Sequence, residues 1–302
     1  MPLVNLFPEE KTPKAFVNSA QGNALGAERK SNQGTLKEFP NPAQQSKRFP
    51  WRVLWFLLTA AIFGAAAGIP FALEVFRPLI EASPPIAIPL PLLVLIGVAQ
   101  NVLLFGVFIG VGLLLARKIG LGTPLLESWL YHEESPVRAA DSFKAGVPVG
   151  ITVGVILTVI ILSVAPHMPG LPFVRAGQAS IWKRVLACFY GGLDEEILTR
   201  LFLLTLFAWL GVRFFQKQQA RLSPGAFWIA NIIVAILFGL GHLPAASRVM
   251  AITPEVVIVA LVLNGVAAIS FGYLYWKRGL ESAMIAHFCA DFVIYVVGVG
   301  LL

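Results

Sequence analysis

The residues of this chain that could carry chemistry lie in apolar stretches, where charged side chains are costly. Residues 191–200 read Gly-Gly-Leu-Asp-Glu-Glu-Ile-Leu-Thr-Arg and interrupt a long apolar run. A charged side chain at the centre of a membrane-spanning helix costs roughly 3 kcal/mol on insertion scales. Such side chains are retained where they pair, line a cavity or take part in a reaction. Glu195, Glu196 and Arg200 are therefore the first candidates for a functional site.

Helical geometry separates the two adjacent carboxylates. Residues four apart share a helical face, and a glutamate N-terminal to an arginine is the favourable order, so Glu196 is predicted to pair with Arg200. Glu195 is rotated by about 100° from Glu196 and is left without a local cation, which suits a general base. The alternative is a structural ion pair that holds two helices together, for which a second carboxylate would be unnecessary.

Two further segments place histidines in apolar surroundings. They read Phe238-Gly-Leu-Gly-His242 and His287-Phe-Cys-Ala-Asp291. Because Asp291 follows His287 by four residues, the aspartate is predicted to hydrogen-bond one ring nitrogen and to fix its tautomer. Taken alone, His242 is more typical of an interfacial residue and Phe238 of a packing residue, and the His287–Asp291 pair could simply join two helices.

Three apolar segments thus contribute ionisable side chains, which must converge on partners or on water within a membrane. Convergence would allow Glu195, together with His242, to take a proton from a water molecule that attacks a carbonyl carbon. His287 would then donate a hydrogen bond to the developing oxyanion.

Composition predicts the structure that positions these residues. Of 302 residues, 57% are hydrophobic and only 13% are charged, whereas soluble domains carry about 25% charged residues. We predict an all-α, polytopic transmembrane helical bundle of about seven or eight spans. In the fourth span, the Gly191-Gly192 pair is predicted to interrupt the helix, which would restart near Asp194 as its N-cap. The predicted spans are 53–76, 86–116, 145–164, 181–215, 226–242, 256–276 and 282–302.

The chain divides into three predicted regions. Residues 1–50 read as a disordered, basic polar tail, residues 51–180 as N-terminal transmembrane helices with an interfacial loop, and residues 181–302 as the catalytic core. The net charge of +7 comes from basic residues that cluster at the ends of apolar segments. This pattern indicates a membrane partner rather than nucleic acid, and its asymmetry favours a cytoplasmic N-terminus.

At this point the three segments resemble the motifs of the CPBP family of intramembrane glutamic endopeptidases, which includes the CAAX prenyl proteases and bacteriocin-processing or immunity (Abi) proteins. The family pattern is Glu-Glu-x-x-x-Arg, then Phe-x-x-x-His, then His-x-x-x-Asn or Asp, and it is matched across roughly residues 181–295. The resemblance implies a role for each residue of the pattern. The implied roles are water activation by Glu195 and His242, support from Glu196 and Arg200, an oxyanion side formed by His287 and Asp291, and a pocket shaped by Phe238.

At three positions the chain differs from many members of the family. Many members have an aromatic residue before the arginine and a glycine after it, whereas this chain has Thr199 and Leu201. Asp291 replaces the asparagine of the CAAX enzymes. Because an ionised carboxylate cannot donate a hydrogen bond to an oxyanion, Asp291 is expected to orient His287 or to stay protonated.

The leading expectation is an intramembrane endopeptidase without a cofactor. Its substrate would be a membrane-associated or C-terminal peptide, with or without a prenyl group. A zinc metalloprotease is the less favoured alternative, since Glu, His and Asp are competent ligands but a His-Glu-x-x-His segment is missing from the sequence. A carrier or proton relay is a second alternative, although the two halves show no inverted repeat. A catalytically silent scaffold or immunity protein is the third.

Overall fold

The computed structural model describes residues 48–83, 88–132, 135, 137–168, 172–215 and 222–301. Within these ranges the chain is helical and contains no strand. Seven helices are long and apolar enough to cross a membrane, which confirms the predicted all-α transmembrane bundle. The predicted disordered tail lies almost wholly outside the described residues. In chain order the spans are Trp51–Val75, Pro91–Ile119, Ala139–His167, Ile181–Phe215, Pro224–Ala246, Pro254–Arg278 and Leu280–Leu301.

Short helices lie between several of the spans. They are Arg77–Ala82, Pro124–Tyr131 and Pro172–Ala176. The helix Pro124–Tyr131 covers the loop segment predicted to lie at the membrane interface, and its Trp129 side chain is exposed. Its N-terminal turn is held by the seventh span, because the backbone N–H of Leu126 donates to Oε1 of Glu281 at 2.9 Å.

The ends of the spans carry residues suited to starting and stopping helices. Ser223 and Thr253 cap the fifth and sixth spans through their side-chain oxygens, and a proline follows each cap, where its missing N–H is not needed. Gly120 ends the second span with φ 76°, and Gly279 joins the sixth and seventh spans with φ 93°. Both backbone conformations favour glycine.

The fourth span is unbroken, which shows that the predicted interruption at Gly191-Gly192 is wrong. The helix runs from Ile181 to Phe215 and widens into π-helical turns over Tyr190–Glu195 and Ile197–Leu204. A break inside a membrane would leave backbone groups without partners, so a widened helix is the better solution. The glycines instead allow a close approach of the seventh span: a Cβ on Gly192 would lie 3.1 Å from the Cβ of Phe288.

Asp194 is not the predicted N-cap, because it lies inside this continuous helix. Asp194 is 1% exposed, and a Cβ on Gly64 of the first span would meet its carboxylate. Neither carboxyl oxygen has a hydrogen-bond partner in the described part of the chain. The first span therefore packs against the fourth at Asp194, while the seventh packs against it at the glycine pair.

The fourth and sixth spans are the most buried, and the second is the least. Ile197, Leu201 and Leu204 of the fourth span are fully buried and lie in the main apolar core with residues of the other spans. The polar residues of the fourth span are thus held at the centre of the bundle by an apolar surface on the same helix.

Candidate active site

The fourth span contributes a buried ion pair. Nη1 of Arg200 lies 2.9 Å from Oε1 of Glu196, and their side chains are 1% and 0% exposed. This contact is the one that the spacing of four residues predicts. Because neither group reaches solvent, each charge depends on the other for its stability in the bundle.

The seventh span places His287 against the same carboxylate. Nδ1 of His287 lies 2.6 Å from Oε1 of Glu196. A carboxylate can only accept, so Nδ1 donates its proton and the tautomer is set by Glu196. The remaining ring nitrogen, Nε2, lies 3.6 Å from Oε2 of Glu195 and 3.8 Å from Oδ1 of Asp291.

The predicted hydrogen bond between Asp291 and His287 is therefore not formed. At 3.8 Å the two groups are neighbours, but they lie beyond hydrogen-bond distance. The spacing of four residues does place them on one face, as expected. The imidazole nevertheless binds Glu196, whose carboxylate is fixed by Arg200. The carboxylate of Asp291 lies instead over Gly191, where a Cβ would meet its Oδ2.

His242 lies at the C-terminal end of the helix Pro224–Gly241. Its Nδ1 is 2.7 Å from the carbonyl oxygen of Phe238. Since a carbonyl only accepts, Nδ1 is the donor, and Nε2 of the neutral ring keeps a lone pair that can take a proton. Among the described residues, no hydrogen bond or ion pair joins His242 directly to Glu195.

Two aromatic rings connect the histidines to the buried arginine. The guanidinium carbon of Arg200 lies 5.6 Å from the ring centroid of Phe238 and 5.5 Å from that of Phe271. Phe238 contacts the His242 ring edge-on at 4.7 Å, and Phe271 lies 5.0 Å from the His287 ring. The guanidinium thus lies near two rings, each of which also contacts one histidine.

Phe271 is a further residue of the site that the sequence did not indicate. It is fully buried in the sixth span. Its neighbours in the sequence are like those of an ordinary core phenylalanine, so no motif points to it. Only its contacts with Arg200 and His287 reveal its place in the site.

The carboxyl groups differ in their access to water. The side chain of Glu195 is 22% exposed and that of Asp291 is 14% exposed, whereas Glu196 is completely enclosed. A water molecule or a substrate can therefore reach Glu195 more readily than Glu196. The two adjacent glutamates are separated both by helical phase and by environment.

In the part of the chain that the structure describes, no three His, Cys, Asp or Glu side chains are arranged to hold a metal ion. The cluster consists instead of one guanidinium and one imidazole on the enclosed Glu196, with Glu195 and Asp291 facing the far ring nitrogen. Its donor and acceptor atoms suit proton transfer to and from a small molecule.

Comparison with protein families gives one finding that bears on this site. Residues 177–293 match the family model described as type II CAAX prenyl endopeptidase, Rce1-like. The matched region contains all three motif segments, from Glu195 to Asp291. Comparison with curated proteins and with solved structures gives no match. Residues 177–293 of this multi-pass membrane protein thus match a family of CAAX-type peptide hydrolases, as the motifs predicted.

Proposed function

We propose that the protein is an intramembrane endopeptidase of the glutamic type, in which Glu195 and His242 activate a water molecule. The observation that carries this proposal is the position of Glu195. It lies outside the buried ion pair, keeps a partly exposed side chain and faces Nε2 of His287 at 3.6 Å. A general base needs a carboxylate that water can reach, and Glu195 meets this need better than Glu196.

The proposed reaction begins with attack by water. Glu195 takes one proton from the water as its oxygen bonds to the carbonyl carbon of the substrate, and Nε2 of His242 accepts a hydrogen bond from the same water. The carbonyl electrons move to oxygen and form an oxyanion. Nε2 of His287, in the imidazolium form, would donate a hydrogen bond to this oxyanion while Glu196 holds Nδ1.

The second step breaks the peptide bond. Glu195 returns its proton to the leaving nitrogen as the carbon–nitrogen bond breaks and the oxyanion electrons re-form the carbonyl, which leaves a new carboxylic acid and a new amine. Asp291 is proposed to line the oxyanion side in its protonated form, because an ionised carboxylate would repel the oxyanion. Phe238 shapes the pocket beside His242, and Arg200 supports Glu196.

The proposed substrate is a membrane-associated or C-terminal peptide, with or without a prenyl group. The site lies within the spans, so a substrate anchored in the lipid bilayer would reach it more readily than a soluble protein. The family match, which names CAAX prenyl endopeptidases, supports the same class. We also propose a cytoplasmic N-terminus, on the distribution of Lys and Arg along the chain.

The experiment is hydrolysis of a peptide panel by the detergent-purified protein with a chelator present. The panel contains a farnesylated C-terminal peptide, the same peptide without its prenyl group, and an unrelated internal peptide. We expect cleavage of at least one C-terminal peptide, at the same rate with and without the chelator. Activity that is lost with the chelator and restored by zinc would favour the metalloprotease. Cleavage of none of the peptides would favour a carrier or a scaffold.

A substitution at Gly191 tests the packing of the site. A Cβ at this position would meet the carboxylate of Asp291 and lie 3.0 Å from Nε2 of His287. We expect Gly191→Ala to lower kcat roughly tenfold to a hundredfold, because small displacements of reacting groups are costly. The loss should occur although alanine favours a helix over glycine by about 1 kcal/mol.

The matched control is Gly265→Ala in the sixth span, where a Cβ would meet nothing within 4 Å. It should keep the wild-type kcat. The test is a measurement of kcat and Tm for both variants. A wild-type kcat in Gly191→Ala would show that catalysis does not depend on the positions of His287 and Asp291 in this structure.

A further inference from the structure

We propose that Thr199 is a positioning residue that keeps Arg200 bound to Glu196 through one nitrogen, so that Oε1 of Glu196 remains shared with His287. The kinetic consequence of this inference rests on the proposed peptidase function. Its structural consequence, the hydrogen bond between Glu196 and His287, can be measured without any activity.

The hydroxyl of Thr199 is placed to act on both neighbours. It is buried with 1% of the residue exposed. It donates to the backbone carbonyl of Glu195 and accepts from Nη1 of Arg200. A threonine hydroxyl has one proton to donate, and here that proton is used by the helix backbone. Its oxygen is thereby oriented as an acceptor for the guanidinium.

The ion pair beside Thr199 has unusual geometry for an arginine. The closest approach of Arg200 to Glu196 is 2.9 Å, from Nη1 to Oε1, while Nη2 is directed at the carbonyl of Ala267 at 3.5 Å. Oε2 of Glu196 is buried and has no partner in the described part of the chain. Arginine and carboxylate frequently form two parallel hydrogen bonds, which is the stronger arrangement. The two-bond arrangement would engage Oε2 as well, so its lack of a hydrogen-bond partner needs a cause.

Thr199 supplies that cause. Nη1 is shared between the Thr199 hydroxyl and Oε1 of Glu196, which holds the guanidinium in one orientation within its plane. Phe238 and Phe271 contact the guanidinium carbon at 5.6 and 5.5 Å. Such ring contacts restrict the position of the cation but do not select which nitrogen faces the carboxylate.

Loss of the hydroxyl would remove this selection. The guanidinium could then turn so that a second nitrogen reaches Oε2 of Glu196 and forms the two-bond arrangement. The carboxylate would turn with it, and the 2.6 Å hydrogen bond from Nδ1 of His287 to Oε1 would lengthen. His287 would lose its orientation although the ion pair itself became stronger.

The test compares Thr199→Val, which has the same shape without the hydroxyl, with Thr199→Ser, which keeps the hydroxyl. The control is Thr205→Val. Thr205 is a second fully buried threonine of the same span, and its hydroxyl bonds the Tyr275 hydroxyl at 2.8 Å and the Arg200 carbonyl at 3.0 Å. It does not touch the guanidinium.

The first readout is NMR of the full-length protein labelled with ¹⁵N-histidine, in detergent. The chain has only four histidines, so the His287 signal can be assigned with a His287→Gln variant. We expect the Nδ1 proton of His287 to move upfield in Thr199→Val, as its hydrogen bond weakens, and to keep its position in Thr199→Ser and Thr205→Val. An unchanged His287 signal in Thr199→Val would overturn the inference, whether or not the protein cleaves peptides.

The second readout is steady-state kinetics on a cleaved peptide. Thr199→Val should lower kcat roughly tenfold to a hundredfold, the range for one hydrogen bond to a charged group, with KM changed less than about twofold. Thr199→Ser should restore kcat. A wild-type kcat in Thr199→Val would contradict the positioning role of Thr199. If Glu195→Gln still loses cleavage in the same assay, the proposed peptidase function stands although the role of Thr199 does not.

Discussion

Replacement of Glu195 by glutamine is expected to abolish peptide hydrolysis while the protein remains folded. Glutamine has nearly the same shape but cannot take a proton from water, and general-base catalysis contributes about 10²–10⁴ to a rate. Glu195 lies outside the Glu196–Arg200 pair, and Nε2 of His287 lies 3.6 Å from its Oε2. Its neutralisation therefore leaves no buried charge unpaired, and Tm should stay within a few degrees of wild type.

The matched control is Glu74→Gln in the first span. Glu74 also lies in a membrane span and is in contact with a cation, Lys183, at 2.7 Å, but it is remote in sequence from the three motifs. Glu74→Gln should keep the wild-type rate. Hydrolysis by Glu195→Gln within tenfold of wild type would contradict the role of Glu195 as the base.

Replacement of Arg200 by leucine is expected to cause the largest loss of stability. It leaves the carboxylate of Glu196, which is completely enclosed, without its guanidinium. Removal of one partner of a buried ion pair costs about 3–5 kcal/mol. For a chain of this size each kcal/mol lowers Tm by about 2–4 °C, so we expect a decrease of about 6–20 °C and no hydrolysis.

The control for Arg200→Leu is Arg138→Leu. Arg138 contacts Asp141 at 2.9 Å, but its side chain is 81% exposed, and exposed pairs contribute about 0–1 kcal/mol. Its removal should hardly change Tm. The double variant Arg200→Leu with Glu196→Gln also removes the charge that has lost its guanidinium, and it should recover part of Tm without recovering hydrolysis. Equal Tm values for Arg200→Leu and Arg138→Leu would contradict the buried ion pair.

The features predicted correctly from the sequence are those for which backbone hydrogen bonding or the geometry of one helix allows a single structure. A long apolar run in a membrane must be helical, because no other single segment satisfies its own backbone, and the described residues contain seven such helices. A glutamate followed by an arginine at a spacing of four must meet it on one helical face. The contact between Glu196 and Arg200 follows from this geometry alone.

The features predicted wrongly depend on how neighbouring helices pack. Gly191 and Gly192 have low helix propensity, yet the seventh span packs directly on them and the helix continues through π-helical turns. His287 was expected to bind Asp291 on its own helix, but it binds Glu196 of another helix at 2.6 Å. A spacing along one helix says which side chains share a face, not which helix that face meets.

The same reason explains why two contributors to the site were not foreseen. Phe271 touches both Arg200 and His287, and Thr199 binds Arg200. One is an aromatic residue in an apolar span, and the other differs from the family pattern. The contacts of Phe271 depend on the distances between the fourth, sixth and seventh spans, which apolar periodicity does not encode, and the contact of Thr199 depends on where the Arg200 side chain lies on their shared helix.

We propose that the two adjacent glutamates have separate tasks, with Glu195 as the base and Glu196 as the partner of Arg200 and His287. The most direct test measures kcat on one cleaved peptide, together with Tm, for the wild type, Glu195→Gln and Glu196→Gln. We predict that Glu195→Gln loses hydrolysis at an almost unchanged Tm, whereas Glu196→Gln lowers both kcat and Tm. Wild-type hydrolysis by Glu195→Gln, or the same loss of Tm in both variants, would contradict the claim.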